Sequence, residues 1–171
     1  MMHTFSRRSL LLGGAATLAI AACSPASADK VDGDASTDPY ADTTWRKLTD
    51  AEWQERLPTE AYRVLRHEHT ERAFSSPLND EKRAGTFHCA GCDLALFDSD
   101  RKFDSGTGWP SFWDAIPGAM GMKPDNRLFY TRLEYHCARC LGHQGHRFND
   151  GPAPTGQRWC NNGLALTFKP A

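Results

Sequence analysis

Apolar residues between Leu48 and Glu68 return at helical intervals. The stretch LTDAEWQERL opens with Thr49 as an N-cap and Glu52 three residues on, a capping box, with Trp53 and Leu57 following on one face. Pro58 closes that turn and starts the next, PTEAYRVLRHE, predicting a second short helix with Tyr62 and Leu65 facing inward. After Arg72 the period changes. Short alternating runs such as LFYTRLEYHC (Leu128 to Cys137) and LALTFKP (Leu164 to Pro170) lie between clusters of Gly, Pro, Asp and Asn, which predicts antiparallel strands. The expected domain, residues 45–171, is therefore a mostly-β body behind short N-terminal helices.

The segment ahead of it has a different texture. SRRSLLLGGAATLAIAAC joins a twin arginine, Arg7 and Arg8, to an apolar stretch too short and too rich in Gly and Ala to span a bilayer. Residues 1–22 read as a cleavable export signal of the twin-arginine type. Ile20-Ala21-Ala22-Cys23 resembles a lipobox, which would make an acylated Cys23 the mature N-terminus. Ala26-Ser27-Ala28 offers a plain cleavage site as the alternative. Residues 23–44, rich in Ala, Ser, Asp and Thr, read as a solvated tether. The expected location is a bacterial envelope, periplasm-facing and lipid-anchored, or soluble in the periplasm if the plain site is cut.

Composition adds mainly exclusions. Hydrophobic content of 40% and charged content of 24% suit a globular domain with a real core, and a net charge of −1 lacks the basic footprint of a nucleic-acid binder. A monomer without an organic cofactor is expected.

The six cysteines divide by spacing. Cys89-Ala-Gly-Cys92 and Cys137-Ala-Arg-Cys140 are two CxxC knuckles, separated by more chain than a short zinc ribbon spans. A tetrahedral Zn²⁺ takes four thiolates, and each knuckle presents two, so one structural ion would clip distant strands together. Two disulfides are the alternative for an exported protein. A chain folded before export could load zinc in a reducing compartment, so the twin arginine and the four-cysteine pattern support each other. That leaves Cys160 alone in GQRWCNNG, a polar, turn-rich setting that makes a poor core. Arg158, two residues away, could lower its pKa, and His143 and His146 in GHQGH could supply a proton.

These residues carry a family resemblance. GTFHCAGCDLALFDSDRKFDSGTGWPSF, CARCLGHQGHRFNDGPAPTG and RWCNNG, in this order, resemble the B-type methionine sulfoxide reductases, from about Trp45 to Pro170. The resemblance implies a β-tent-like fold, its antiparallel strands in two sheets clipped by the zinc. It implies Cys160 as nucleophile, His146 as the acid for the sulfoxide oxygen with His143 as its companion, and Asn162 as the active-site asparagine. Trp109 would be the wall for the substrate methyl, and Arg158 would lie at the substrate. The expected reaction turns methionine-R-sulfoxide in oxidised proteins or peptides into methionine, leaving a sulfenic acid on Cys160. A non-catalytic binding or chaperone-like module and a thiol-disulfide oxidoreductase are the competing readings.

The departures from the family pattern are specific. HLGHVF and RYCINS read here as HQGHRF and RWCNNG, making Gln144, Arg147, Trp159, Asn161 and Gly163 unusual. Thr107 stands where many members carry a resolving cysteine, so a one-cysteine enzyme recycled by an external, thioredoxin-like thiol is expected.

Overall fold

The computed structural model describes residues 38–171. The expected export signal, Cys23 and the tether up to residue 37 lie outside the described residues. Residues 38–44, expected to be the end of the tether, lie on the domain instead. Asp38 pairs with Arg46 at 2.6 Å, the Arg139 guanidinium sits 5.6 Å over the Tyr40 ring, and Tyr40 packs on the core beside Trp45. One aromatic side chain with a cation and an apolar wall to meet is enough to bring this stretch down, so the folded unit starts before Trp45.

Helix α1 (Asp50–Arg56) begins at the expected capping box: the Thr49 N–H donates to Glu52 Oε2 at 2.7 Å and Glu52 N–H donates back to Thr49 Oγ1 at 3.3 Å. Helix α2 (Thr59–His67) follows directly and ends at Glu68, which turns left-handed. Trp53, Leu57, Tyr62 and Leu65 are all buried, as the periodicity predicts.

Nine strands then form two antiparallel sheets. They are β1 (Gly85–Cys89), β2 (Ala95–Asp98), β3 (Lys102–Phe103), β4 (Ser111–Phe112), β5 (Met120–Asp125), β6 (Arg132–Cys137), β7 (His143–Phe148), β8 (Arg158–Asn161) and β9 (Leu166–Pro170). One sheet has the order β2-β1-β9 and the other β3-β4-β8-β7-β6-β5. Aromatic rings join them: Phe97 of β2 stacks on Phe112 of β4 at 4.0 Å, and Phe87 of β1 meets the same ring edge-on at 4.9 Å. Tyr135 and Trp159 extend this core across the larger sheet.

Both predicted strands are shorter than their sequence runs. Residues 128–131 belong to the loop between β5 and β6, because Leu-Phe-Tyr is a continuous apolar run and not an alternation, and Leu128, Phe129 and Tyr130 are exposed. Gly163–Ala165 makes a 3₁₀ turn before β9.

Candidate active site and metal centre

The two CxxC knuckles are the same turn made twice. In each, the first cysteine's carbonyl accepts from the residue four positions on (Asp93 N–H at 2.8 Å, Leu141 N–H at 2.9 Å), and that residue has positive φ. One knuckle closes the β1–β2 hairpin of the small sheet and the other the β6–β7 hairpin of the large one. They bring the sulfurs of Cys89, Cys92, Cys137 and Cys140 within 4.8 Å of one another, with Cys89–Cys140 at 3.6 Å and Cys92–Cys137 at 3.5 Å. A tetrahedral ion with metal–sulfur bonds of about 2.3 Å needs edges of about 3.8 Å, so the cluster fits a structural metal. All five cysteines among the described residues are free, which leaves the disulfide alternative without a bonded pair. Gln144 Nε2 also donates to Cys89 Sγ at 3.4 Å, the kind of hydrogen bond that metal-bound sulfur accepts from its surroundings.

The second cluster lies mid-sheet. His146 of β7 and Cys160 of β8 are direct cross-strand partners, which puts their side chains side by side on one face. Gly145 allows this approach: a Cβ there would stand 1.9 Å from the Cys160 carbonyl oxygen. A cavity of about 130 Å³ opens over the pair, lined by Thr70, Trp109, Arg132, Gly145, His146, Phe148, Cys160 and Asn162.

Its walls are fixed from behind. Trp109 Nε1 donates to the Glu71 carbonyl at 3.1 Å, Glu71 N–H donates to Asn162 Oδ1 at 3.0 Å, and Asn162 Nδ2 donates to the Gln144 carbonyl at 3.0 Å. The buried Glu71 carboxylate takes the N–H groups of Gly163 and Leu164 at 2.6 and 2.9 Å; burial pushes its pKa up and those donors oppose the rise. Asn162 thus lines the cavity while its amide holds the frame.

His146 Nε2 lies 2.8 Å from Asp125 Oδ2. The Arg127 guanidinium, then its backbone N–H, hold the Asp125 carboxyl far below the usual carboxylate range, with His146 and Arg132 adding to the effect. Burial lowers the His146 pKa, and Asp125 opposes it. His143 is buried behind, its Nδ1 at 3.0 Å from Glu134 Oε1 and its ring edge-on to His146 at 5.6 Å. Burial works to raise Glu134, but His143 and Lys123 outweigh it and its pKa stays low.

For Cys160, burial pushes the thiol up, while Arg158 and a hydrogen bond from the Thr107 hydroxyl pull it back. Arg158 is outside the cavity lining: its guanidinium is forked onto Asp150 with two 2.9 Å bonds and stacks on Phe148 at 4.3 Å. It acts on Cys160 through its charge.

Four of the five unusual residues resolve into two pairs. Gln144 and Asn161 are both buried, and Asn161 Nδ2 donates to Gln144 Oε1 at 3.2 Å while Tyr135 OH donates to Asn161 Oδ1 at 2.9 Å. Arg147 and Trp159 face each other across β7 and β8, the guanidinium 5.7 Å over the indole. Gly163 faces Ser76, whose Oγ would stand 1.9 Å from a Cβ there.

Asp125, Glu134, Glu71, Thr70 and Arg132 join the site without having been marked by any sequence motif, and Phe148 lay in a quoted motif without being singled out. Asp125 lies in PDNR, which looks like turn chemistry, and its link to His146 exists only once β5 and β7 flank β6.

A SelR domain model matches residues 57–170. A peptide methionine sulfoxide reductase MsrB of Pseudomonas putida is 52% identical over 120 residues, covering 70% of this chain and 90% of that protein. One of Methanosarcina barkeri is 49% identical over 122 residues, covering 71% of this chain and 86% of that one. A chloroplastic peptide methionine sulfoxide reductase B1 of Oryza sativa is 46% identical over 123 residues, covering 71% and 58%.

Proposed function

The chain belongs to the SelR-domain family of B-type methionine sulfoxide reductases, and on that premise we propose how its own residues carry the reaction. It is a peptide-methionine (R)-S-oxide reductase, an oxidoreductase that reduces methionine-R-sulfoxide to methionine. The observation that carries the assignment of roles is the cross-strand pair of Cys160 and His146 opening into a cavity walled by Trp109. The non-catalytic reading has no support in the comparisons, and a thiol-disulfide exchanger would need a second thiol beside Cys160, which the described residues do not supply.

With its Nε2–H directed at Asp125, neutral His146 keeps Nδ1 free to take the Cys160 proton and pass it to the sulfoxide oxygen. The Cys160 sulfur bonds to the sulfoxide sulfur. The protonated oxygen then passes to the cysteine sulfur as both its S–O bond and the new S–S bond to the substrate sulfur break, giving methionine and Cys160 sulfenic acid. The sulfoxide gains two electrons and the cysteine sulfur loses two. Trp109 offers the aromatic contact that a thioether methyl favours. His143 with Glu134 backs the His146 ring, and Asn162 holds the floor.

The Thr107 hydroxyl is a far weaker nucleophile than a thiolate, so an external dithiol of the thioredoxin kind reduces the sulfenic acid and releases water. Cys89, Cys92, Cys137 and Cys140 would hold a zinc ion, whose two positive charges would offset part of the charge of four buried thiolates and whose role would be structural. For residues ahead of the described part, we retain twin-arginine export and acylation at Cys23 as the reading, tested by the mass of the mature N-terminus.

The functional test is turnover of methionine-R-sulfoxide against its S epimer with dithiothreitol, in wild type, Cys160→Ser and His146→Ala. We expect R-specific turnover, none with Cys160→Ser, and a loss of about 10²–10⁴-fold with His146→Ala. After one turnover without reductant, intact mass should rise by one oxygen on Cys160. A loss of two hydrogens would refute the one-cysteine mechanism.

A further inference from the structure

The catalytic cavity, at about 130 Å³, has room for one side chain, so the polypeptide that carries an oxidised methionine must run across the rim. One part of that rim is unusual. Asp125 and Arg132, opposite each other at the end of the β5–β6 hairpin, meet the site directly: Asp125 holds His146 and Arg132 lines the cavity. Residues 126–131 leave the sheet at this pair. The base of the loop is pinned by Asp125 Oδ1, which accepts from the Arg127 N–H at 3.0 Å and its guanidinium at 3.1 Å, and by Thr131 Oγ1, which donates to Asn126 Oδ1 at 2.8 Å. Its top carries three large apolar side chains in water: Phe129 is 99% exposed, with Leu128 at 44% and Tyr130 at 50%. A soluble surface does not spontaneously favour three such neighbours together, and clusters of this kind mark interaction sites.

We propose that Leu128, Phe129 and Tyr130 form a docking tip for apolar residues flanking the oxidised methionine, so that this loop favours substrates with apolar flanks. The occupant follows from position. The tip is continuous with the cavity through the Asp125–Arg132 pair, and the cavity admits the sulfoxide side chain alone, so what passes over the tip is the rest of the substrate. Its chemistry matches too, because methionine is itself among the residues most often buried in apolar cores. The cations at the loop and its base already have carboxylate partners: Arg127 pairs with Asp125 and Glu68, and Arg132 with Asp125. The tip is left to recognise apolar surface, without a charge preference.

The inference rests on the cavity being the methionine-R-sulfoxide site, and the experiment separates the two. Rates are compared on a peptide whose methionine-R-sulfoxide is flanked by Leu and Phe and on N-acetyl-methionine-R-sulfoxide amide. The enzymes are wild type, Phe129→Ser, Phe129→Trp and the triple serine variant of residues 128–130. For the peptide, kcat/KM should fall by about tenfold in Phe129→Ser, through KM, and further in the triple variant, with Phe129→Trp close to wild type. The small substrate should be turned over equally by all four. Equal effects on both substrates, or none on the peptide, would overturn the docking role while leaving the chemistry standing. Failure of wild type on both would instead remove the catalytic reading. Sedimentation run alongside provides a further check: a Phe129-dependent dimer with unchanged peptide kinetics would assign the tip to a second copy of the chain and refute the proposal.

Discussion

Cys160 and His146 are tuned in opposite directions, the thiol upward and the imidazole downward, each chiefly by burial. At neutral pH the resting pair is therefore thiol and imidazole, with the proton exchange reserved for the moment the substrate arrives. Alkylation of Cys160 by iodoacetamide should climb with pH to a midpoint above that of an unperturbed thiol. Thr107→Val, which removes a donor to the thiolate, should push that midpoint further up and slow alkylation at pH 8 several-fold. A midpoint that stays put or falls would show that the hydroxyl does not hold the sulfur. Asp125 makes the matching case on the acid side. Its pKa is depressed in the folded state, so the stability it adds is present above the ordinary carboxylate range and lost as pH falls through the folded value. Asp125→Asn should lower Tm at pH 7, flatten the acid limb of the Tm profile, and cut kcat more than it raises KM. The measurements are melting curves from pH 3 to 7 and steady-state kinetics.

At the scale of elements, β7 and β8 carry the site, and their two buried, unusual amides, Gln144 and Asn161, depend on each other. Tyr135 OH, Asn161, Gln144 and Cys89 Sγ form a chain in which every donor points towards the metal centre. Replacing Asn161 by Ile strands the Gln144 side-chain oxygen and the buried Tyr135 hydroxyl, costing about 1–3 kcal/mol. Gln144→Leu should cost less, because Asn161 Nδ2 keeps the Asn162 carbonyl at 2.9 Å. The double variant swaps both amides for an apolar pair and should cost less than the two single losses added together, since the Gln144 oxygen is no longer stranded and only the Tyr135 hydroxyl lacks its acceptor. Urea melts of the four proteins close the cycle, and strictly additive costs would show that the two side chains do not communicate. The sequence announced the elements where a local pattern had one meaning. The Thr49–Glu52 box and the CxxC knuckles are written within a few residues of chain. It singled out Cys160 as the cysteine left over from the knuckles, and the family resemblance implied its role as nucleophile. Asp125, Glu134 and Glu71 were silent because a lone carboxylate beside a turn or helix end looks solvated until distant strands bury it. Leu128 to Tyr130 misled in the same way: their apolar character was legible, but their position beyond the end of β6 depends on where the hairpin closes.

For the whole molecule, a metal held by the four cysteines would tie the two sheets together, since each knuckle belongs to a hairpin of a different sheet. Elemental analysis should find one zinc per chain. Stripping it with a strong chelator, or Cys140→Ser, should cost far more than a surface substitution. Structural zinc is worth about 10–16 kcal/mol in small domains, and binding energy there is folding energy. Near-UV circular dichroism and activity should be lost together. A metal-free protein retaining both would show that the aromatic layer of Phe87, Phe97 and Phe112 is sufficient to hold the sheets.

The burial of those four thiols, each no more than 2% exposed, also decides how the protein ages among the oxidants that create its substrate. A peroxide molecule reaching the enzyme meets Cys160 at an open cavity long before it meets a sulfur of the cluster. Irreversible damage therefore begins as sulfinic acid at the working cysteine, and the scaffold outlives its own catalyst. Spent copies remain folded and keep the docking tip on display, so under sustained oxidative load they compete with active ones for the same damaged chains.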